Sequence, residues 1–198
     1  FLKMFNGIIF STGKIKLIKK NNNSIYIGIN TKLKFYKKDI GSSVSCNGVC
    51  LTIVKVKRNL INFYISEETL QRSNFKLIKI NQIINLEKSL SYGQKISGHF
   101  TQGHVDTVAK IQKIIFFDKT WLMKLQIKDN KLRKFLVEKA SISINGVSLT
   151  ITKILKEGFQ ISIVPHTLRF TNLIYLEEKD IVNVEFDVLG KYIKNFIK

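Results

Sequence analysis

The sequence predicts an all-β protein of two similar domains, each a small closed barrel. Three observations support this prediction: the chain repeats its own motifs, its apolar residues form strand-length runs, and turn signals separate those runs. With 198 residues and 44% hydrophobic composition, the chain has a globular composition. It is long enough for two domains of roughly 100 residues, each with a core of its own.

Several motifs of the chain occur twice, 98 residues apart; Asn47 in the first copy, for example, corresponds to Asn145 in the second. "NGVCLTIVK" begins at Asn47 and "NGVSLTITK" at Asn145. Three further pairs share the offset: "GSSVSCNG" with "KASISING", "EETLQRSNF" with "PHTLRFTNL", and "QIINLE" with "DIVNVE". "FNGIIFSTGKI" near the start also resembles "FTQGHVDTVAKI" at an offset of about 96. Motifs in the same order at one spacing indicate a duplicated domain, because the period is too long for a solenoid unit.

Each half contains runs of four to eight apolar or alternating residues, which predict strands. In the first half they are 24–29, 49–56, 60–65 and 82–87. In the second half they are 104–111, 121–127, 147–154, 159–164 and 181–186. Asn-Gly pairs at 47–48 and 145–146 and the polar stretch 21–24 predict turns between them.

Helix is predicted at three places only. "TLQRSN" (69–74) and "TLRFTN" (167–172) are each expected to form a short helix between strands. The tail 187–198 is expected to be helical, with Val188, Tyr192, Phe196 and Ile197 on one face. That apolar face is expected to dock on its own barrel, with a partner chain as the alternative.

The net charge of +19 raises the possibility of a nucleic-acid binder. Only four of the 33 basic residues are arginines, although arginine is favoured where phosphates and bases are read. The lysines are also scattered along the chain, as expected from AT-rich codon usage. Nucleic-acid binding is therefore kept as the distant alternative, and no nucleic-acid partner is expected.

The chain shows no membrane-length apolar run and no signal-peptide pattern, so we expect a cytoplasmic protein that is not membrane-bound. Met4 is a candidate translation start, with Phe1 to Lys3 preceding it. Cys46 and Cys50 lie too close on one segment for a structural disulfide, and two thiols alone make no zinc site.

The repeated strand presents different chemistry on its two faces. Val49, Leu51 and Ile53 are expected to point into a barrel, while Cys50 and Thr52 point out. The second copy repeats this pattern with Ser148 and Thr150 on the outer face. One interpretation is an ordinary solvent-facing strand; the other is a pair of related pockets, in which small side chains leave room for a flat ligand.

At this point the chain resembles the riboflavin synthase family of the alpha-chain type. The resemblance is carried by "MFNGII", the "NGVCLT" and "NGVSLT" pair, "SGHFTQGHVDT" (97–107) and "VPHTLRFTNL" (164–173), in order along nearly the whole chain. It implies two six-stranded Greek-key lumazine-binding barrels, at 1–92 and 93–187, and a C-terminal helix at 188–198 that assembles a homotrimer.

The resemblance also implies a reaction that needs neither cofactor nor metal. Two molecules of 6,7-dimethyl-8-ribityllumazine dismutate, and a four-carbon unit passes from one to the other. The products are riboflavin and 5-amino-6-(D-ribitylamino)uracil. The nearest alternative is a non-catalytic lumazine- or flavin-binding protein of the same fold; the retention of Cys50 and Ser148 in their respective halves favours the enzyme.

The resemblance assigns catalytic roles to six residues. Cys50 is either a nucleophile or a ring contact, and Ser148, with Thr150 beside it, is a hydrogen-bonding partner. His104 either moves protons or is structural, and His99 of the same motif is taken as structural. Phe5 either packs on a ring or belongs to the core, and Asp187 is expected to orient the Ser148 pocket.

The expected substrate contacts fall on matching segments of the two halves. In the first half they are Gly7, Ile8, Ile9, Cys50, Leu51, Thr52, Tyr64, Ile65, Ser66, Glu67, Glu68 and Thr69. In the second half, or in the segment leading to it, they are Gly103, His104, Val105, Lys139, Ser148, Leu149, Thr150, Ser162, Ile163, Val164, Pro165, His166 and Thr167.

Overall fold

A computed structural model describes residues 4–196; Phe1 to Lys3, Ile197 and Lys198 lie outside the described residues. The expected start region before Met4 and the last member of the helical stripe, Ile197, therefore fall outside it. Twelve strands form two closed barrels. Strands β1 to β6 are Ser11–Asn21, Ser24–Thr31, Ser43–Cys46, Val49–Lys57, Leu60–Ile65 and Ile83–Lys88. Strands β7 to β12 are Thr107–Phe117, Thr120–Gln126, Ser141–Ile144, Val147–Leu155, Gly158–Ile163 and Ile181–Phe186.

The first barrel closes in the order β1-β2-β5-β4-β3-β6, which is a Greek key because β6 returns to pair with both β1 and β3. All of its pairings are antiparallel. Val49, Leu51 and Ile53 point into the core, while Thr52 and Val54 face out. The alternation predicted for this strand is confirmed.

The second barrel closes in the order β10-β11-β8-β7-β12-β9, which is the same circuit in the second half. Val147, Leu149 and Ile151 fill its core, and Thr150 faces out. The prediction of two tandem six-stranded barrels is therefore confirmed. The expected domain division at 92/93 falls in the connection between β6 and β7, and stays a prediction.

The strands predicted from periodicity are all present, with shifts at their ends. Three were missed as separate elements, namely β1, β3 and β9; the last two have only four residues each. Strand β7 begins at Thr107 rather than residue 104, because the segment before it crosses to the other barrel. The Asn-Gly turns are confirmed, with both residues of each turn at positive φ: Asn47 46° and Gly48 78°, Asn145 47° and Gly146 80°.

The expected short helices are present as α1 (Glu67–Arg72) and α2 (Pro165–Phe170), and the C-terminal helix as α3 (Val188–Phe196). Ser66 caps α1 by accepting the Thr69 N–H, and Pro165 occupies the first turn of α2. Short 3₁₀ helices follow at Asn74–Leu77 and Asn172–Tyr175, with others at Lys37–Asp39 and Arg133–Phe135.

The expectation that α3 buries its apolar face on its own barrel is wrong. Tyr192 is 59% exposed, Phe196 80% and Leu189 61%. The helix is held mainly at its first turns, where Lys191 pairs with Asp106 at 3.0 Å. The barrel therefore leaves these apolar side chains of α3 largely uncovered. None of the helices within residues 4–196 is long and apolar enough to cross a membrane.

A buried network of asparagines joins the two barrels. Asn85 Nδ2 donates to the Asn145 carbonyl at 2.9 Å, and Asn183 Nδ2 donates to the Asn47 carbonyl at 2.8 Å. Asn172 N–H donates to Asn85 Oδ1, as its counterpart Asn74 does to Asn183 Oδ1. The members obey the 98-residue offset, so the duplication also generates a pseudo-two-fold interface.

The Asn-Gly turns meet at this interface. A Cβ atom on Gly48 would lie 2.7 Å from the Gly146 nitrogen, and one on Gly146 would lie 2.7 Å from the Gly48 nitrogen. Glycine is therefore needed twice over here, for the positive φ and for the close approach of the two backbones.

Candidate functional site

Two backbone hydrogen bonds between the halves, each accepted by a glycine carbonyl, define the site. Ser148 N–H donates to the Gly7 carbonyl, and Cys50 N–H donates to the Gly103 carbonyl, each at 2.8 Å. The segments that carry Gly7 and Gly103 also pair with each other through Phe5 and Thr101. The segment before β1, which carries Gly7, thus lies on the second barrel, and the segment before β7, which carries Gly103, lies on the first. We call these two the crossing segments.

The exchange extends into the cores. Ile9 belongs to the hydrophobic core of the second barrel, and Val105 belongs to that of the first. Gly7 and Gly103 have φ of 72° and 74°, and a Cβ on either would lie 2.7 Å from the backbone nitrogen of its partner strand. The two crossings therefore have room only for glycine.

Two buried glutamates hold the crossing segments. Glu87 accepts the N–H groups of Asn6 and Gly7 at 2.8 and 3.0 Å. Glu185 accepts those of Gln102 and Gly103 at 2.7 and 3.0 Å. Burial raises the pKa of each carboxyl to about 7, and the N–H donors oppose that rise. Each carboxylate thus fixes a glycine carbonyl on the opposite barrel.

Cys50 lines a cavity of about 230 Å³ at the outer face of the first barrel. Its partly exposed side chain lies opposite Ser45 on β3, and Thr69 of α1 and His104 are also at the cavity. The remaining lining residues are Val49, Glu68, Arg72, Ser73, Gly103 and Val105. Gly103, His104 and Val105 come from the segment before β7, so both halves of the chain contribute to this pocket.

The other cysteine, Cys46, is buried and cannot contact a ligand. Cys46 is fully buried in the first core, and burial, with Cys50 nearby, raises the pKa of its thiol well above the usual value. Both cysteines are free. Cys50 is therefore the thiol available to a ligand.

Ser148 occupies the equivalent position on β10 but has different neighbours. Its hydroxyl lies 2.7 Å from His99 Nδ1, and Gly98 packs so closely that a Cβ there would lie 2.9 Å from the Ser148 Cβ. The backbone N–H of His99 also donates to the Asn6 carbonyl at 3.2 Å. Sequence reasoning gave His99 only a structural role; the repeat contains no second histidine that could have pointed to this contact.

The remaining catalytic candidates are placed as follows. His104 is exposed at the Cys50 cavity, and Thr150 is exposed on the outer face of β10. Asp187 is half-buried at the start of α3, where it accepts the Leu189 N–H, and its charge acts on His99. Phe5 is fully buried, which favours the core interpretation of that residue.

The predicted substrate contacts divide by burial. Six of them point into the barrels and have only backbone atoms to offer a ligand: Ile9, Leu51, Ile65, Val105, Leu149 and Ile163. Side chains open to solvent, wholly or partly, are those of Ile8, Thr52, Tyr64, Ser66, Glu67, Glu68, Thr69, Lys139, Ser162, Val164, Pro165, His166 and Thr167. His166 packs on Phe170, with ring centroids 4.8 Å apart.

Sequence reasoning missed three positions beside these pockets. Glu87 and Glu185 were visible as the last residues of the repeated "QIINLE" and "DIVNVE", where a glutamate ends an apolar strand. Ser43 lies opposite Thr52 and is 4% exposed, and its hydroxyl has no partner among the described residues. A buried hydroxyl next to the outer-face threonine is a further candidate for ligand contact.

Comparison with known proteins decides the family. The family model described as the lumazine binding domain matches the chain twice, at residues 6–89 and 102–187. Riboflavin synthase from Actinobacillus pleuropneumoniae is 36% identical over 196 residues, covering 98% of this chain and 90% of that protein. The chain belongs to the riboflavin synthase family of lumazine-binding-domain proteins. The enzyme of the same name from Photobacterium leiognathi is 37% identical, covering 98% and 89%.

Solved structures of LumP show the same architecture. LumP complexed with riboflavin aligns with a TM-score of 0.82 at 27% identity, covering 92% of this chain and 98% of that one. LumP complexed with 6,7-dimethyl-8-(1'-D-ribityl) lumazine aligns with a TM-score of 0.79 at 27% identity, covering 91% and 98%. The family membership expected from the motifs is confirmed.

The crossing at Gly103 gives a testable prediction. Gly103→Ala should destabilise the fold and weaken ligand binding at the Cys50 cavity, because its Cβ would meet the Cys50 backbone at 2.7 Å. Gly93→Ala is the matched control, with a φ of 78° and no atom within 4 Å of the added Cβ. We expect Gly103→Ala to lose about 1–3 kcal/mol more unfolding free energy than Gly93→Ala, as measured by urea titration. Equal losses would contradict the crowding described here.

Proposed function

We propose that the chain is a riboflavin synthase that converts two molecules of 6,7-dimethyl-8-ribityllumazine into riboflavin and 5-amino-6-(D-ribitylamino)uracil. The observation that carries the proposal is the paired site: Cys50 and Ser148 occupy equivalent outer-face positions, each crossed by a glycine from the other half. A dismutation needs two sites for the same molecule, with different chemistry in each. Relatives of this name at 36–37% identity over nearly the whole chain support it.

The main catalytic contribution is positioning. Two flat heterocycles held face to face react as if in one molecule, which contributes on the order of 7–11 kcal/mol. The outer faces of β4 and β10 present small side chains, so a ring can lie flat against the strand. Backbone groups of the crossing segments, fixed by Glu87 and Glu185, are suited to reading the polar edge of the ring.

The two pockets then divide the chemistry. In the first, Cys50 and His104 face one cavity, so a thiol and an imidazole are available for addition to a ring or for proton transfer. In the second, the hydroxyls of Ser148 and Thr150 are polar groups on the outer face of β10. Asp187 orients this pocket through its position at the start of α3.

The assembly we propose is a homotrimer built through α3. The exposed side chains of Leu189, Tyr192, Ile193 and Phe196 form an apolar face that its own barrel leaves uncovered. Burial of this face between subunits would bring pockets of neighbouring chains together. Two free cysteines fit a reducing compartment, and we place the enzyme in the cytoplasm with a small-molecule substrate as its ligand.

Of the alternatives, a non-catalytic lumazine- or flavin-binding protein of this fold is not favoured. Both halves of the chain keep a small polar residue on the outer face and a glycine crossing against it, whereas a binding protein needs only one such pocket. The features of the Cys50 and Ser148 pockets do not favour nucleic-acid binding.

Turnover tests the proposal directly. The purified chain, incubated with the lumazine and a metal chelator, should form riboflavin with one molecule produced for every two lumazines consumed. The product is followed by its visible absorbance, and chain denatured beforehand is the control. Absence of riboflavin, or a strict requirement for an added metal or cofactor, would refute the proposal.

The difference between the pockets gives a second prediction. Cys50→Ser should lower the single-turnover rate about tenfold, or about 1.4 kcal/mol of barrier, with little change in lumazine affinity. Positioning carries most of the catalysis, so loss of one thiol should not abolish it. Ser148→Cys places a cysteine in both pockets. It should change the single-turnover rate only slightly if Ser148 merely lines its pocket. An unchanged rate in Cys50→Ser would reject a chemical role for the thiol.

A further inference from the structure

The crossing segment at the Cys50 cavity has a second anchor on the second barrel, in addition to Glu185. This anchor is Asp106, which ends the segment. Its N–H donates to the Val184 carbonyl at 3.0 Å, and its Oδ2 accepts the Phe186 N–H at 2.8 Å. Glu185 holds the other end of the segment. The residues that line the cavity therefore lie between two points fixed to the second barrel.

Asp106 is also the residue that holds the C-terminal helix. Lys191 Nζ of α3 lies 3.1 Å from Asp106 Oδ1 and 3.0 Å from Oδ2. The two side chains are only 22% and 21% exposed, so solvent screens their attraction weakly. A cavity of about 380 Å³ separates other parts of α3 from the barrel, with Tyr192 on the helix side and Phe135 on the barrel side. The helix therefore acts on the crossing segment mainly through this ion pair.

The charge of Lys191 also reaches the first anchor. Burial is the largest cause that raises the pKa of Glu185 to about 7, whereas the nearby Lys191 opposes that rise and Asp106 adds to it. Lys191 thus favours the ionised form of Glu185, in which both carboxylate oxygens accept N–H groups of the crossing segment. Both anchors of the segment therefore depend on one lysine of α3.

The first half of the repeat lacks this arrangement. Asp106 corresponds to Phe10, which has no charge and is 73% exposed. The stretch 98 residues before α3, at 90–98, contains no helix. The crossing segment at the Ser148 pocket is held by Glu87, and in the described part of the chain no ion pair ties it to a helix. The link to α3 is therefore a property of one pocket.

We propose that the Asp106–Lys191 ion pair couples α3 to the Cys50 pocket and not to the Ser148 pocket, with Asp106 as the positioning residue. The inference rests on the proposed function, because it takes the cavity at Cys50 as one of the two ligand pockets. While the pair is formed, α3 helps to hold the wall of that cavity in place. Burial of the apolar face of α3 between subunits would then set the ligand affinity of one pocket in each chain.

Two substitutions break the ion pair from either side. Asp106→Asn removes the negative charge, while its amide oxygen can still accept the Phe186 N–H. Lys191→Met removes the positive charge and keeps most of the aliphatic side chain. Because Lys191→Met alters only the helix, it keeps the test open should Asp106→Asn fail to fold. Lys194→Met is the matched control, since this exposed lysine of α3 pairs with no acidic side chain within residues 4–196.

The readout is the affinity of each pocket for riboflavin, measured on the full-length chain. Bound riboflavin should protect the Cys50 thiol from alkylation by iodoacetamide, and Cys46 is buried and should not react. The variant that combines Cys50→Ser with Ser148→Cys moves the reactive thiol to the other pocket. Alkylation rates over a riboflavin titration, followed by mass spectrometry, then give the affinity of one pocket in each background.

We expect Asp106→Asn and Lys191→Met each to weaken riboflavin binding at Cys50 about fivefold, and binding at the Ser148→Cys thiol less than about twofold. The two substitutions together should weaken binding no more than either alone, because the partners of one ion pair are not additive. Equal weakening at both thiols, or unchanged affinity at Cys50, would overturn the coupling. Because binding is measured without turnover, failure of the wild type to form riboflavin would refute the proposed function instead.

Discussion

The structure depends on the reciprocal backbone bonds by which each half completes the other. The N–H groups of Cys50 on β4 and Ser148 on β10 donate to carbonyls of the segment that leads into the other barrel, and not to a strand of their own barrel. Gly103 and Gly7 supply the carbonyls, and a buried backbone donor left without one would cost about 1–3 kcal/mol. Each of these hydrogen bonds joins one barrel to a segment of the other half. The asparagine network, which holds the two barrels together, therefore also holds both pockets in place.

This arrangement explains how a duplicated domain can hold two copies of one substrate and treat them differently. The backbone framework of each pocket is inherited from the repeat: a glycine carbonyl, a buried glutamate and an Asn-Gly turn. The side chains at the two equivalent positions have diverged, with Cys50 beside His104 in one half and Ser148 bonded to His99 in the other. Symmetric scaffolding and asymmetric chemistry are what a dismutation requires.

Much of the fold followed from the sequence because barrel strands alternate strongly, and the Asn-Gly turns need φ values that few other residues adopt. The crossing segments did not follow, because periodicity reports which face is apolar and not which barrel that face enters. Ile9 and Val105 were expected only as substrate contacts, yet each packs in the other half's core. The exposure of the apolar face of α3 was also missed, since an amphipathic pattern does not say what covers that face. The contact of His99 with Ser148 depends on a connection 49 residues away along the chain, for which local pattern holds no signal.

The central claim is that each pocket is completed by the segment that leads into the other barrel. Riboflavin affinity of two fragments tests it most directly: residues 4–92, which close the first barrel, and residues 4–107, which add the segment carrying Gly103, His104 and Val105. Both should fold, as judged by circular dichroism, because β1 pairs with β6 within either fragment. The account predicts that the longer fragment binds at least about tenfold more tightly, since it restores the hydrogen bond to Cys50 and the cavity wall. Equal affinity of the two folded fragments would contradict it.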